Sequence, residues 1–215
     1  MAEGGDWKPA AEIARFGDQP WGRVERQMLQ PAPFFRKAFT VAKPIKRATA
    51  FASALGVYEL HLNGKPVDSD VLSPGWTDFA KRVHYRGYDV TEQLKRGENV
   101  VGAILGDGWY ASYLAFTGKR HYYGGDPRLL VQLNIEYQDG TREVVATDES
   151  WQAVVGPILE ADLHMGCVFD AQQEFPNWDK AGFDATQWQR AEVDGAVKAN
   201  LVAHPGEPMR RTEEI

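Results

Sequence analysis

The chain has 215 residues, of which 43% are hydrophobic and seven are tryptophan, enough for the core of one large domain or of one domain with flanking pieces. Its formal net charge of −6 is spread along the chain without blocks. This argues against a nucleic-acid partner, which requires a basic face. No segment approaches about 18 consecutive apolar residues, so we predict no membrane-spanning helix and no membrane partner.

The single cysteine, Cys167, excludes an internal disulfide. Cysteine usage of this kind fits a reducing compartment and equally a bacterial secreted protein, so the localisation stays open between cytoplasmic and secreted. We expect the thiol to be buried and to pack as a small hydrophobe rather than to act as a nucleophile.

The two ends of the chain share a weak pattern. A W-x-x-A stretch at residues 7–10 is followed by a Pro/Gly break at residues 20–22, and the same stretch at residues 188–191 is followed by a break at residues 205–208. We interpret both as closing strands of a sandwich, because each consists of a short β-like stretch that ends at a chain-breaking residue.

This pattern divides the chain into three parts. Residues 1–30 are predicted to be an N-terminal extension or the tail of a preceding module. Residues 31–208 form the main domain, and residues 209–215 are polar and read as the start of a linker to a missing downstream domain.

The first half of the main domain has clear strand and turn signals. Residues 58–62 alternate apolar and polar side chains, which predicts a half-buried strand. Asn63-Gly64 then favours the positive φ angles of a tight hairpin. Residues 83–90 form another predicted strand, and residues 91–94 are predicted to form one helical turn.

The second half continues in the same way. Residues 100–105 are apolar on both faces and therefore predict a central strand. Residues 129–137 alternate apolar and polar side chains, which predicts a strand. Asp139-Gly140 predicts a hairpin turn, and residues 141–147 are predicted to form the returning strand. Many short strands separated by turns predict an all-β fold, a jelly-roll β-sandwich with few short helical turns.

The motif GDGWY at residues 106–110 opens a loop that extends to about Arg128. A compact β-domain rarely spends about twenty residues on a structureless connection unless the loop has a function. Aromatic faces beside a carboxylate suit a polyol, because rings pack on its C–H faces and the carboxylate accepts hydrogen bonds from its hydroxyls. The alternative is that these aromatics cap the open end of the sandwich. The aromatic and glycine residues of this loop beyond the motif are Tyr113, Phe116, Tyr122, Tyr123, Gly118, Gly124 and Gly125.

Six motifs of the main domain form a recognisable set, namely VYELHLNGK (57–65), LSPGWT (72–77), YDVT (88–91), GDGWY (106–110), FDA (169–171) and WD (178–179). Together they resemble the N-terminal β-domain of bacterial α-L-rhamnosidases, over about residues 31–215. The LNG, DVT and GEN pattern in the first half also resembles sugar-binding domains of β-galactosidases, which share the galactose-binding-like jelly-roll class.

The resemblance implies that catalysis belongs to a downstream (α/α)₆ barrel, for which this chain has neither the length nor the helices. Its thirty acidic residues show no recognisable acid/base pair. The chain is therefore expected to be a non-catalytic module. Two non-catalytic roles stay open: a module that binds an L-rhamnose-containing glycan with the aid of Ca²⁺, and a structural accessory domain that supports the barrel. In both roles the downstream domains of the parent enzyme are partners. The third alternative is an enzyme in its own right, which turnover of an aryl rhamnoside by this chain alone would favour.

The resemblance also implies the site residues. Ca²⁺ takes six to eight hard oxygen ligands, for which we consider Asp107 in the motif loop, Asp126 and the Pro127 carbonyl where the loop closes, and Asp170. The ordinary alternatives are a turn residue at Asp126 and a loop brace at Asp170. The predicted sugar contacts are Asp107, Trp109, Tyr110, Tyr122 and Tyr123, with a core position as the alternative for the Trp109 indole.

Overall fold

The computed structural model describes residues 11, 13–15, 18–19, 30–114, 118–195 and 197–211. The predicted closing strand near the N-terminus, Phe116 and the last four residues of the predicted linker lie outside these ranges. Within the described part of the chain, no helix is long and apolar enough to cross a membrane.

The described chain is dominated by strands, with one short α-helix and two 3₁₀ turns. The helix, α1, is Gly108–Ala111, and the 3₁₀ turns are Thr91–Gln93 and Ala171–Gln173. The strands are β1 (Pro33–Val41), β2 (Ile45–Leu55), β3 (Val57–Leu62), β4 (Lys65–Pro66), β5 (Val83–Asp89), β6 (Gly97–Gly106), β7 (Arg128–Tyr137), β8 (Arg142–Ala146), β9 (Gln152–Val155), β10 (Ile158–Asp162), β11 (Gly166–Phe169), β12 (Gln189–Arg190) and β13 (Leu201–Ala203).

Two sheets pack face to face. One has the strand order β12-β9-β1-β6-β3-β4, and the other has the order β13-β5-β2-β7-β8. The pairs within them are antiparallel except for β13 with β5. A separate two-stranded ribbon is formed by β10 and β11. This arrangement confirms the predicted all-β sandwich.

Side chains alternate between the two faces of each strand, and one face places a row of apolar side chains in the space between the sheets. The alanines of β2 lie beside the larger side chains of β7, the neighbouring strand of the same sheet, and both rows belong to the buried core. Each fully buried large aliphatic side chain contributes about 1.5–3 kcal/mol from burial. The buried rows include Ala48, Ala50, Ala52 and Ala54 of β2, Leu60 and Leu62 of β3, Val101, Ala103 and Leu105 of β6, and Val131, Leu133 and Ile135 of β7.

Strand β6 is buried on both faces, as its uninterrupted apolar sequence predicts. Its outer face is covered by the segment that precedes β12. Trp178 of that segment lies over Gly102, where an added Cβ would come within 2.8 Å of the indole. Gly102 therefore provides the space that the tryptophan occupies.

The position of Cys167 corrects one expectation. The thiol is exposed rather than buried. Cys167 lies on β11, which among the described strands pairs with β10 in the two-stranded ribbon.

Candidate functional site

Asp107 lies where β6 ends and the predicted functional loop begins. Its carbonyl accepts a hydrogen bond from the backbone N–H of Ala111 at 3.1 Å, which closes the single turn of α1. Its carboxylate does not turn outward: the side chain is only 5% exposed and forms an ion pair with Arg120. Burial raises the pKa of Asp107, although the positive charge of Arg120 opposes this effect.

Arg120 also faces a second carboxylate. Its Nε lies 3.3 Å from Oδ2 of Asp162, whose side chain is fully buried. Burial by itself would raise the pKa of Asp162, but hydrogen bonds from backbone N–H groups outweigh it and lower the pKa. Those donors are the backbone N–H groups of Tyr113, His164 and Met165, at 3.0, 2.9 and 3.0 Å.

We call this arrangement the Asp107–Arg120–Asp162 triad. It joins three separate parts of the chain, namely the end of β6, the aromatic loop and the β10–β11 ribbon. The loop that the sequence suggested to be structureless is therefore fixed to the sandwich at its base.

Three of the predicted sugar contacts come together around Phe79. The Phe79 ring meets Tyr110 edge-to-face at 5.5 Å between centroids and Tyr123 at 5.2 Å, and Tyr122 meets Tyr123 at 4.8 Å. These rings line a cavity of about 700 Å³, which we call the tyrosine pocket. The other residues that line it are Leu55, Asp78, Ala80, Val83, Val197, Lys198 and Ala199.

The pocket combines apolar walls with a few polar groups, which is the usual composition of a small-molecule site. Asp78 contributes a partly exposed carboxylate, whose Oδ1 accepts a hydrogen bond from the backbone N–H of Ala80 at 3.2 Å and whose Oδ2 lies 3.2 Å from Nζ of Lys81. Lys198 contributes an ammonium group, whose charge is opposite to that of the Asp78 carboxylate. The pocket can therefore offer hydrogen-bond acceptors and donors together with aromatic faces.

Trp109 lies outside the tyrosine pocket. Its half-buried indole is stacked on Trp76, with ring centroids 6.5 Å apart and planes at 7°. Trp76 is 57% exposed, so the pair forms an indole surface open to solvent. The structure thus separates Trp109 from the three tyrosines, and its contact with a sugar stays a prediction.

The predicted calcium ligands other than Asp107 contact residues of their own segments. The Asp126 carboxylate is 73% exposed and lies 3.9 Å from the Arg128 guanidinium, which also donates to the Pro127 carbonyl at 3.2 Å. The Asp170 carboxylate accepts hydrogen bonds from the backbone N–H of Gln172 and the side chain of Gln173 at its 3₁₀ turn.

The Asp107 carboxylate is likewise already occupied, by Arg120. Across the described ranges, no group of three or more histidine, cysteine or acidic side chains is placed to hold a metal ion. Clustered acidic side chains therefore supply no calcium site in this part of the chain, although calcium also takes carbonyl and water oxygens. Calcium binding by this chain stays a prediction without a site among these residues.

Sequence reasoning missed Asp78, Phe79 and Lys198. Asp78 and Phe79 directly follow the LSPGWT motif, so proximity to a motif was the only available signal. Lys198 belongs to an irregular segment before β13, which reaches the pocket only because β13 pairs with β5.

Comparison with known proteins assigns this chain to a family. The alpha-L-rhamnosidase N-terminal domain model matches residues 43–213. An α-L-rhamnosidase of Streptomyces avermitilis is 41% identical over 211 residues, a match that covers 97% of this chain and 20% of that protein.

Solved structures of α-L-rhamnosidases support the same family assignment. The structure of the Streptomyces avermitilis α-L-rhamnosidase complexed with L-rhamnose superposes with a TM-score of 0.82 at 42% identity, over 92% of this chain and 19% of that chain. Native α-L-rhamnosidase of Aspergillus terreus gives a TM-score of 0.80 at 32% identity, over 92% and 23%. This chain spans about a fifth of the length of these relatives. It belongs to the family of α-L-rhamnosidase N-terminal domains.

Proposed function

We propose that this chain is a non-catalytic carbohydrate-binding module of a larger α-L-rhamnosidase-type glycoside hydrolase, and that it binds L-rhamnose-type sugars in the tyrosine pocket. The observation that carries the proposal is an aromatic cluster around a cavity of about 700 Å³, in which Tyr110 and Tyr123 contact Phe79 and Tyr122 contacts Tyr123. The parent enzyme would supply hydrolysis from the remaining four fifths of its length.

The chemistry of a 6-deoxyhexose matches this lining. Its methyl group and C–H faces can pack on the Phe79 and tyrosine rings. Its vicinal hydroxyls can donate to the Asp78 carboxylate and accept from the Lys198 ammonium, both of which line the cavity. Support also comes from relatives named as α-L-rhamnosidases, one of which was solved with L-rhamnose.

A calorimetric titration of L-rhamnose into the purified chain tests the proposal. Tyr122 is the residue to change, because its ring is 68% exposed and its removal should leave the fold intact. We expect Tyr122→Ala to weaken binding about fivefold, the loss of about 1 kcal/mol of ring contact. Phe169→Ala is the matched control, since Phe169 is an exposed aromatic on β11 that does not line the pocket.

The result that overturns the proposal is a folded chain that gives no heat with L-rhamnose. Equal weakening by Tyr122→Ala and Phe169→Ala would also contradict it, because the binding would then not depend on the pocket.

A structural accessory role is the second candidate. It is favoured by exposed apolar side chains at the end of β9 and on the β10–β11 ribbon, namely Val155, Met165 and Phe169. Such side chains suit contact with another domain of the parent enzyme. Under this alternative, Phe169→Asp lowers the thermal stability of the full-length parent and leaves the isolated chain unchanged, and no variant affects sugar binding.

A further inference from the structure

We infer that Arg120 is the built-in counter-cation of the buried carboxylates Asp107 and Asp162, in the role that a bound divalent cation would otherwise have there. Arg120 is in this account a positioning residue that orders the aromatic loop without metal. It follows that sugar binding in the tyrosine pocket does not require calcium. This consequence rests on the proposed function.

Asp107 and Asp162 place two buried negative charges beside Arg120. The Asp107 and Asp162 side chains are 5% and 0% exposed, so water cannot solvate either carboxylate well. Two buried carboxylates that face one group need a positive charge between them, because like charges in a poorly solvated site repel strongly.

Arg120 meets this need. Its Nη2 pairs with Asp107, its Nε lies 3.3 Å from Asp162, and only 10% of its side chain is exposed. Its guanidinium carbon also lies 5.7 Å from the centre of the Tyr113 ring, which holds the planar group from one face. A cation could reach both carboxylates only by displacing this guanidinium.

The triad also fixes the positions of the tyrosine rings that line the tyrosine pocket. Asp107 immediately precedes α1, which carries Tyr110, and Arg120 is followed two residues later by Tyr122. A backbone hydrogen bond from His121 to the carbonyl of Ala111, at 3.3 Å, ties the same two segments together. Arg120 therefore fixes both sides of the tyrosine pocket at their bases.

Thermal unfolding with and without calcium tests the inference. The wild-type chain should show the same Tm in EDTA and in saturating CaCl₂. Arg120→Ala should lower the Tm in EDTA by about 10 °C, because it leaves two buried carboxylates without a partner. Saturating CaCl₂ should then recover about 7 °C of this loss, as the ion occupies the vacated place.

The double variant Arg120→Ala/Asp107→Asn is the matched control. It removes one of the two carboxylates, so calcium should no longer raise its Tm. Arg120→Lys, which retains a positive charge, should fold and stay insensitive to calcium. If Arg120→Ala is insoluble in EDTA, its soluble yield when refolded in CaCl₂ replaces the Tm as the measured quantity, with recovery expected.

Two results would overturn the inference. One is a saturable rise in the wild-type Tm with calcium that Asp107→Asn abolishes. The other is an Arg120→Ala chain whose Tm or refolding yield does not respond to calcium. Because none of these readouts involves sugar, an absence of rhamnose binding would contradict the proposed function and leave the role of Arg120 to be decided by the Tm data alone.

Discussion

Tyr110 and Gly124 are in direct contact across the aromatic loop. A Cβ added at Gly124 would overlap the Tyr110 hydroxyl and come within 2.9 Å of its ring carbon Cε1. The phenol thus occupies the space that a side chain at Gly124 would need, and the absence of that side chain sets where the wall of the tyrosine pocket lies.

Gly124→Ala should therefore displace the Tyr110 ring and weaken L-rhamnose binding about tenfold, with a loss of stability of about 1–3 kcal/mol from overpacking. The measurement is calorimetric titration combined with urea unfolding. Gly195→Ala is the control, since an added Cβ there meets no atom within 4 Å. Unchanged affinity in Gly124→Ala would show that the Tyr110 ring is not part of the sugar site.

His61 on β3 lies between two carboxylates, with Nδ1 2.6 Å from Asp179 and Nε2 2.6 Å from Glu59. Burial by itself would lower the pKa of His61, but the hydrogen bonds to Glu59 and Asp179 outweigh it and raise the pKa above 6.5. The folded state therefore binds the His61 proton more tightly than the unfolded state does.

The sign of the pH effect follows from this difference. The stabilisation by His61 is fully present below pH 6.5 and is lost as the pH rises through the raised pKa of the folded state. Urea unfolding at a series of pH values from about 6 to 9 should show stability falling with pH in the wild type and falling less in His61→Gln. Parallel pH profiles for the two chains would contradict this assignment.

Arg36 on β1 holds the segment that covers the outer face of the six-stranded sheet. Its Nε donates to the carbonyl of Trp178 at 2.9 Å, and its two terminal nitrogens donate to Gln152 and to the carbonyl of Lys180. Arg36 is 4% exposed, and its bond to the Trp178 carbonyl is buried.

Arg36→Met should destabilise the chain by about 3 kcal/mol, because it removes three hydrogen bonds and leaves the buried Trp178 carbonyl without this donor. Arg142→Met is the matched control at an exposed position of β8 and should change stability by less than about 0.5 kcal/mol. Urea unfolding measures both. Equal effects of the two substitutions would show that the covering segment does not depend on Arg36.

Cys167 is predicted to react with a thiol reagent in the native chain, because its side chain is exposed on the β10–β11 ribbon. Labelling followed by mass spectrometry should find one modified cysteine under native conditions, and the modified chain should bind L-rhamnose with unchanged affinity. Reaction only after unfolding would mean that the ribbon is covered in solution.

Local chemistry allowed much of the fold to be predicted. Asn63 and Gly64 have the positive φ angles of 53° and 85° that the predicted hairpin between β3 and β4 requires. The apolar run in β6 predicted a strand buried on both faces, and β6 lies between β1 and β3 in its sheet. These signals depend on neighbouring residues in the sequence, so they can be read directly.

The candidate site was harder to predict from the sequence, because its contacts join segments that are far apart along the chain. The aromatic loop could be recognised from composition, but Phe79, on which Tyr110 and Tyr123 converge, lies about thirty residues away with no periodic signal. The ion pair between Arg120 and Asp107 had no sequence signature either, and it turns inward the carboxylate that was expected to face a ligand.

The most direct test of the account is one calorimetric titration of L-rhamnose into the wild-type chain, performed once in CaCl₂ and once in EDTA. The account predicts binding heat with the same Kd in both solutions, since the tyrosine pocket supplies the contacts and Arg120 supplies the cation. A folded chain that gives no heat in either solution would contradict the central claim that this domain binds the sugar.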